Sequence, residues 1–76
     1  MRHSFFFSTF EEANEAESQV LNIVGEEITE IYQSNDGETG AIEVRFFTDK
    51  KLDHYTIGTL ISNTRPDVYA LNCEDY

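Results

Sequence analysis

Asn35-Asp36-Gly37-Glu38-Thr39-Gly40 runs through Ala41 into Ile42-Glu43-Val44-Arg45-Phe46. The first stretch consists of residues that favour tight turns, and the second alternates strictly between apolar and charged side chains. In front of the turn, residues 26–34 have helical spacing at some apolar positions but the β-branched and aromatic content of a strand. The turn favours the strand, so residues 26–34 and 42–46 are predicted to form a β-hairpin.

A strand and then a helix are predicted in front of this hairpin. Residues 3–7 are an aromatic run that suits a short buried strand. Ser8 and Thr9 each stand three residues before a glutamate, which is the spacing of a capping box. Gly25 suits a left-handed C-terminal cap, so the helix should span residues 10–24. Its packing face should hold Phe10, Ala13, Ala16, Val20, Leu21, Ile23 and Val24.

The segment after the hairpin supports two interpretations. Residues 54–62 place Tyr55, Ile57, Thr59 and Ile61 on one side of an extended chain, which predicts a fourth strand. The alternative is a second helix capped by Asp49, which its scattered apolar positions and Gly58 disfavour. A turn at residues 63–67, around Pro66, then leads into a last strand at residues 68–73.

These elements define an α+β fold in one domain, residues 1–76. One amphipathic helix should pack on a mostly antiparallel sheet of four or five strands, in the order β-α-β-β-(β or α)-β. A helix at residues 50–63 would instead permit a ferredoxin-like arrangement. Hydrophobic residues make up 39% of the chain, with six Phe and four Tyr, which is enough for one core.

Charge limits the classes of function. Fifteen acidic and five basic residues give a net charge of −10, and the sequence pI is about 4.3. Such a surface repels nucleic acid and anionic lipid and attracts basic protein surfaces. No apolar run is long enough for a membrane span, and the single Cys73 fits a reducing compartment. We therefore expect a cytoplasmic protein, monomeric or homodimeric, with no direct nucleic-acid or membrane binding.

No pattern of residues predicts catalysis, a metal or a cofactor. His3, His54 and Cys73 lack the close-pair spacing of zinc ligands, so structural roles are favoured for them. Asp36-Gly37-Glu38 lacks the regular spacing and terminal glutamate of a calcium loop and is better explained as a hairpin turn. None of the common nucleophile, phosphate-loop or metalloprotease motifs is present. The protein is expected not to be an enzyme.

Acidic residues are concentrated in the first half of the chain, where Arg2 is the only basic residue. Glu11 and Glu15 should lie one helical turn apart, about 6 Å, on a solvated face. Such carboxylates can serve solubility, or can imitate phosphates and bind a basic groove. Glu17 falls at the edge of the apolar stripe of the helix. The simplest explanation is that the stripe extends past the edge of the sheet, and the alternative is that Glu17 contacts an arginine of a partner. The predicted partner-binding residues are Glu11, Glu12, Glu15, Glu17, Glu26, Glu27, Glu30, Asp36 and Glu38.

A short, acidic, cysteine-poor chain with a Phe-rich first strand, an acidic helix and an acidic hairpin resembles the small phage-encoded inhibitors that include anti-CRISPR proteins and DNA mimics. The resemblance implies that the protein blocks access of DNA to a host defence complex, such as a CRISPR–Cas subunit, or to another DNA-binding protein. The alternative is a homodimer or interaction subunit whose acidity serves solubility. The paired Phe runs at residues 5–7 and 46–47 should leave aromatics on the sheet face away from the helix.

Overall fold

A computed structural model describes residues 1–35 and 37–72, with side chains described as far as residue 70. The described residues form four strands and two α-helices in the order β-α-β-β-α-β, and a 3₁₀ turn, Gly25–Glu27, follows the first helix. The elements are β1 (Arg2–Phe7), α1 (Phe10–Ile23), β2 (Ile28–Asn35), β3 (Ile42–Thr48), α2 (His54–Thr64) and β4 (Val68–Asn72). The strand order is β2-β3-β1-β4, and every neighbouring pair is antiparallel. The predicted α+β class is confirmed, and the topology is the ferredoxin-like one.

Thr9 caps the N-terminus of α1 and contacts Glu12, at one of the two predicted spacings. Thr9 has extended backbone angles, and its hydroxyl accepts a hydrogen bond from the Glu12 amide (3.2 Å). The same hydroxyl donates to Glu12 Oε1 (3.0 Å). At the other end Gly25 takes the left-handed conformation, with φ +64°. The helix ends where a residue without a Cβ makes that conformation easy.

The buried face of α1 is narrower than predicted. The residues fully buried along it are Ala13, Ala16 and Val20. Phe10 and Leu21, which were expected to pack, are 53% and 46% exposed. They lie within about 40° of Asn14 on the helix circumference. Asn14 bonds to the edge strand β2, so no further strand of the described chain lies under that side of α1.

The prediction of a strand at residues 54–62 is wrong, because this segment forms α2. Asp53, not Asp49, caps the helix, and its Oδ1 accepts from the Thr56 amide at 2.7 Å, which lowers the pKa of Asp53. Helical spacing directs Leu60 into the core and brings Ile57 against it, whereas Tyr55 is 84% exposed. The alternation that favoured a strand is therefore incidental, since burial follows the period of 3.6.

One face of the sheet and the two helices enclose the core. On β1, His3, Phe5 and Phe7 face the helices and lie opposite alternate residues of β3. Phe5 is fully buried, and its ring meets the edges of Phe46 (5.8 Å between centroids) and Tyr69 (5.1 Å). Because β1 is a central strand, the Phe5 ring contacts side chains of both neighbouring strands, β3 and β4.

His3 is a buried polar member of this core. Its ring stacks on Phe46 at 4.6 Å, and its two nitrogens lie 3.2 Å from the hydroxyls of Tyr69 and Thr48. The Thr48 hydroxyl donates its one proton to the Lys50 carbonyl (2.8 Å), so it must accept from His3 Nε2. Nδ1 is then the acceptor for Tyr69, which satisfies a neutral imidazole. Burial, with the nearby N-terminal charge, lowers the pKa of His3 to about 4.

The two helical glycine positions should respond to alanine with opposite signs. A Cβ at Gly25 meets no neighbouring atom, but φ +64° is strained for alanine, so Gly25→Ala should destabilise the fold by about 1 kcal/mol. Gly58 has open space around it in the middle of α2, so Gly58→Ala should stabilise by up to about 1 kcal/mol. Urea denaturation of both variants tests this. A loss of stability in Gly58→Ala would contradict the helical assignment of α2.

Stability should fall with acidification through His3. Below pH 6.5 an unfolded chain takes up a proton at this histidine, whereas the folded chain does not until about pH 4. Between pH 7 and 5 this loss is about 2 kcal/mol. His3→Gln should remove that part of the slope while the contribution of the carboxylates remains. Urea denaturation at pH 7, 6 and 5 measures it, and parallel slopes for both proteins would contradict the neutral buried histidine.

Candidate functional site: an acidic end and an open sheet face

Strand directions bring several acidic residues to one end of the molecule. β1 ends where β3 and β4 begin, because it is antiparallel to both. The first turns of α1, residues 37–41 of the hairpin loop and the turn in front of β4 therefore share this end. We call it the acidic end, and its described members are Glu11, Glu12, Glu15, Glu38 and Asp67, all exposed.

Local hydrogen bonds hold parts of the acidic end in place. The Glu12 amide and carboxylate both bond to the hydroxyl of the cap residue Thr9. The Asp67 amide donates to the Phe6 carbonyl (2.8 Å), and the Ser8 hydroxyl donates to Asp67 Oδ2 (2.8 Å). These contacts tie the turn in front of β4 to the end of β1. Carboxylates in the first turn of α1 also interact favourably with the helix dipole, so Glu11 and Glu12 are compatible with a stable helix.

A depression of about 440 Å³ opens at the acidic end. Its walls come from the end of β1, the second half of the hairpin loop and the start of β4. The lining residues are Phe6, Phe7, Ser8, Thr39, Gly40, Ala41, Asp67 and Val68. Phe6 and Val68 are a directly opposed cross-strand pair, and Val68 is 56% exposed. The depression thus combines an apolar wall with the carboxylate of Asp67 and the hydroxyl groups of Ser8 and Thr39.

The other predicted acidic residues do not join this end. Glu26 and Glu27 form part of the 3₁₀ turn after α1, at the opposite end of the sheet. Glu30 lies opposite Phe47 on the face of the sheet away from the helices. Glu17 accepts a hydrogen bond from Gln33 Nε2 (3.1 Å), which gives it a partner within the fold. Asp36 lies outside the described residues.

The face of the sheet away from the helices, which we call the open face, has a hydrogen-bonded network at its centre. Arg45 donates from Nε (2.7 Å) and Nη2 (3.0 Å) to the two oxygens of Glu43. The Ser4 hydroxyl also donates to Glu43, at 2.6 Å. Arg45 Nη1 donates to the Tyr32 hydroxyl (3.3 Å), and its guanidinium lies 5.9 Å from the centre of that ring. Burial acts to raise the pKa of Glu43, but the bonds from Arg45 and Ser4 outweigh it and lower the pKa.

Aromatic side chains surround this network. Phe6 and Phe47 lie on the open face, as the consecutive Phe runs predict. Tyr32 stacks beside Phe47 with a centroid separation of 6.3 Å. Within this aromatic surround, the charges of Glu43 and Arg45 offset each other, so the centre of the open face carries no net charge, in contrast to the acidic end.

The sequence did not lead us to predict Glu43, Arg45 or Asp67 as site residues. The strict alternation of residues 42–46 places Glu43 and Arg45 on one face of a strand, which is a sufficient signal for their pairing. Asp67 was assigned only to a turn. Its contact with Ser8 joins positions far apart in the chain and depends on β4 lying beside β1, which local patterns do not specify.

Within the described part of the chain, no group of three or more His, Cys, Asp or Glu side chains could hold a metal ion. None of the helices in that part is long and apolar enough to cross a membrane. Cys73, which was considered above as a zinc ligand, lies outside the described residues.

Comparisons of the chain with protein-family models, with curated proteins and with solved structures gave no match. The residues and their geometry are therefore the basis for the function proposed below.

Coupling between Glu43 and Arg45 can be measured directly. Both side chains are largely covered, at 13% and 30% exposed, and their contact is bidentate. A double-mutant cycle with Glu43→Gln and Arg45→Met should give a coupling of about 1 kcal/mol in the free energy of unfolding. The coupling should shrink in acid, at a pH below the usual titration range of a glutamate, as Glu43 takes up a proton, because its contacts with Arg45 and Ser4 lower its pKa. Additive single effects at neutral pH would show that the pair contributes nothing to stability.

Proposed function

We propose that the protein is a non-enzymatic acidic binding protein that occupies the basic surface of a nucleic-acid-binding protein and so excludes nucleic acid from it. One observation carries this proposal: exposed carboxylates are gathered at one end of a small fold, and two of them, Glu11 and Glu15, are not engaged within it. Glu11 and Glu15 have no hydrogen bond or ion pair to any described residue. Their charge is therefore fully available to a partner.

The physical basis is competition between polyanions. A nucleic-acid-binding groove is lined by Lys and Arg that release counterions when phosphates bind. Carboxylates of the acidic end can occupy the same cations, and the net charge of −10 steers the encounter over a distance set by ionic strength. Binding should therefore be fast, sensitive to salt and displaced by DNA. The resemblance to phage-encoded inhibitors implies a CRISPR–Cas subunit as one such partner.

A second candidate function is a homodimer or subunit that docks through the open face. The aromatic side chains and the balanced Glu43–Arg45 centre favour it, because two copies could meet there without opposing carboxylates. From ordinary strand spacings, a face made of strands of 6, 8, 7 and 5 residues covers only about 400 Å² in projection. Stable interfaces bury roughly 800 Å² per partner. The open face is small by this comparison, and its central charges are already paired, so the exposed carboxylates of the acidic end are the better-supported contact surface.

The direct test is affinity capture from a bacterial lysate at low and high salt, with DNA as competitor and mass spectrometry of the captured proteins. A nucleic-acid-binding protein that is retained at low salt and released by DNA supports the proposal. Recovery of only the protein itself, with a concentration-dependent mass, would replace it by the homodimer.

Charge reversal at the two ends should separate a defined surface from general attraction. Glu11→Lys with Glu15→Lys should weaken binding to the captured partner at least tenfold, a change of about 1.4 kcal/mol. Glu26→Lys with Glu27→Lys is the matched control, since it changes the net charge equally at the opposite end. It should weaken binding less than threefold. Titration calorimetry measures both, and equal losses would contradict the assignment of the acidic end as the contact surface.

A further inference from the structure

Resting on the proposed function, we propose that the depression at the acidic end receives an arginine side chain of the basic partner. The guanidinium would bind the Asp67 carboxylate, and the aliphatic stem would lie along Phe6 and Val68. The depression would thus supply the single anchored contact within a larger electrostatic interface.

The shape of the depression suits a long, slender side chain. Phe6 and Val68 provide an apolar wall on adjacent strands. Gly40 and Ala41, on the hairpin side, carry little or no side chain, and Gly40 has φ +77°, which glycine adopts easily. The volume of about 440 Å³ lies toward the lower end of the range for ligand pockets. It accommodates one side chain with some water.

The charge of the depression selects a cation. Asp67 accepts a hydrogen bond from Ser8 on one oxygen, and its backbone is held by the bond to Phe6. A carboxylate has about four lone-pair sites, so most of its accepting capacity is unused. No described Lys or Arg pairs with Asp67. A cationic group entering from a partner therefore meets an oriented, uncompensated acceptor.

The open face already contains an arginine bound in this way. Arg45 forms a bidentate contact with Glu43 while its guanidinium lies over the ring of Tyr32. The depression again combines a carboxylate, Asp67, with an aromatic ring, Phe6, but without an arginine; Phe6 lies on β1 next to β3, and Asp67 lies at the start of β4, two strands from β3. The planar guanidinium can both pair with a carboxylate and stack on a ring, whereas the lysine ammonium offers only a point charge. Arginine is therefore the favoured occupant.

The experiment uses the full chain and two defined peptides. ¹⁵N-labelled protein is titrated with acetyl-Gly-Arg-Gly-amide and with the citrulline analogue, a neutral molecule of nearly the same shape. The arginine peptide should produce saturable amide shifts at Gly40, Asp67 and Val68 with a dissociation constant in the millimolar range, and the citrulline peptide should bind at least fivefold more weakly. Equal binding of both peptides, or shifts confined to other residues, would overturn the site.

Substitutions test the carboxylate without disturbing its surroundings. Asp67→Asn keeps an oxygen that can accept from Ser8 but loses the charge, and it should weaken the arginine peptide at least fivefold. Asp49→Asn is the matched control, because Asp49 is exposed at the opposite end of the sheet and should leave binding unchanged. Val68→Lys, which introduces a cation at an exposed wall, should also abolish binding. Wild-type affinity in Asp67→Asn would overturn the proposal.

The same variants show whether it is the arginine site or the proposed function that fails. If the captured partner is retained by Asp67→Asn but lost by Glu11→Lys with Glu15→Lys, the function stands and the arginine site is overturned. If the arginine peptide binds as expected but no partner is displaced by DNA, the site stands and the proposed function is overturned.

Discussion

Phe5 lies at the middle of β1 and is packed between the rings of Phe46 on β3 and Tyr69 on β4. This arrangement holds the first strand of the chain between the two strands that come from its second half. Because β1 is central, its C-terminal end determines where α1 begins and which turns surround that point. The acidic end and its depression exist because β1, β3 and β4 meet there.

The surface around this core has two kinds of region, which differ in whether their charges are paired. Carboxylates occupy the helix surface and both ends of the sheet, where α1 and the 3₁₀ turn present them to solvent. The open face keeps its central glutamate in a bidentate pair with Arg45 and surrounds it with aromatic rings. Any cationic group near the acidic end is attracted over a distance set by ionic strength. The apolar pair Phe6 and Val68 lies between the acidic end and the centre of the open face.

Local patterns predict most of this fold, and the exceptions have identifiable causes. The hairpin and α1 were predictable because turn residues, the Thr9 cap and Gly25 act over a few residues. The strand expected at residues 54–62 failed because its β-branched alternation competed with a cap at Asp53 that went unrecognised. Exposure of the acidic residues followed from helical and strand periods. The grouping of five of them at one end could not be predicted from these periods, since it depends on the strand order, which long-range packing sets.

The sheet also leaves β2 with one side unpaired, and this is the longest strand of the described chain. A free strand edge of this kind is a template for pairing with another copy, and charge is a common means of preventing such association. The net charge of −10 makes two copies of the chain repel each other, which opposes such pairing. This repulsion depends on total charge more than on position, so single carboxylates can be exchanged between sites with little effect on it, whereas the loss of many would weaken it.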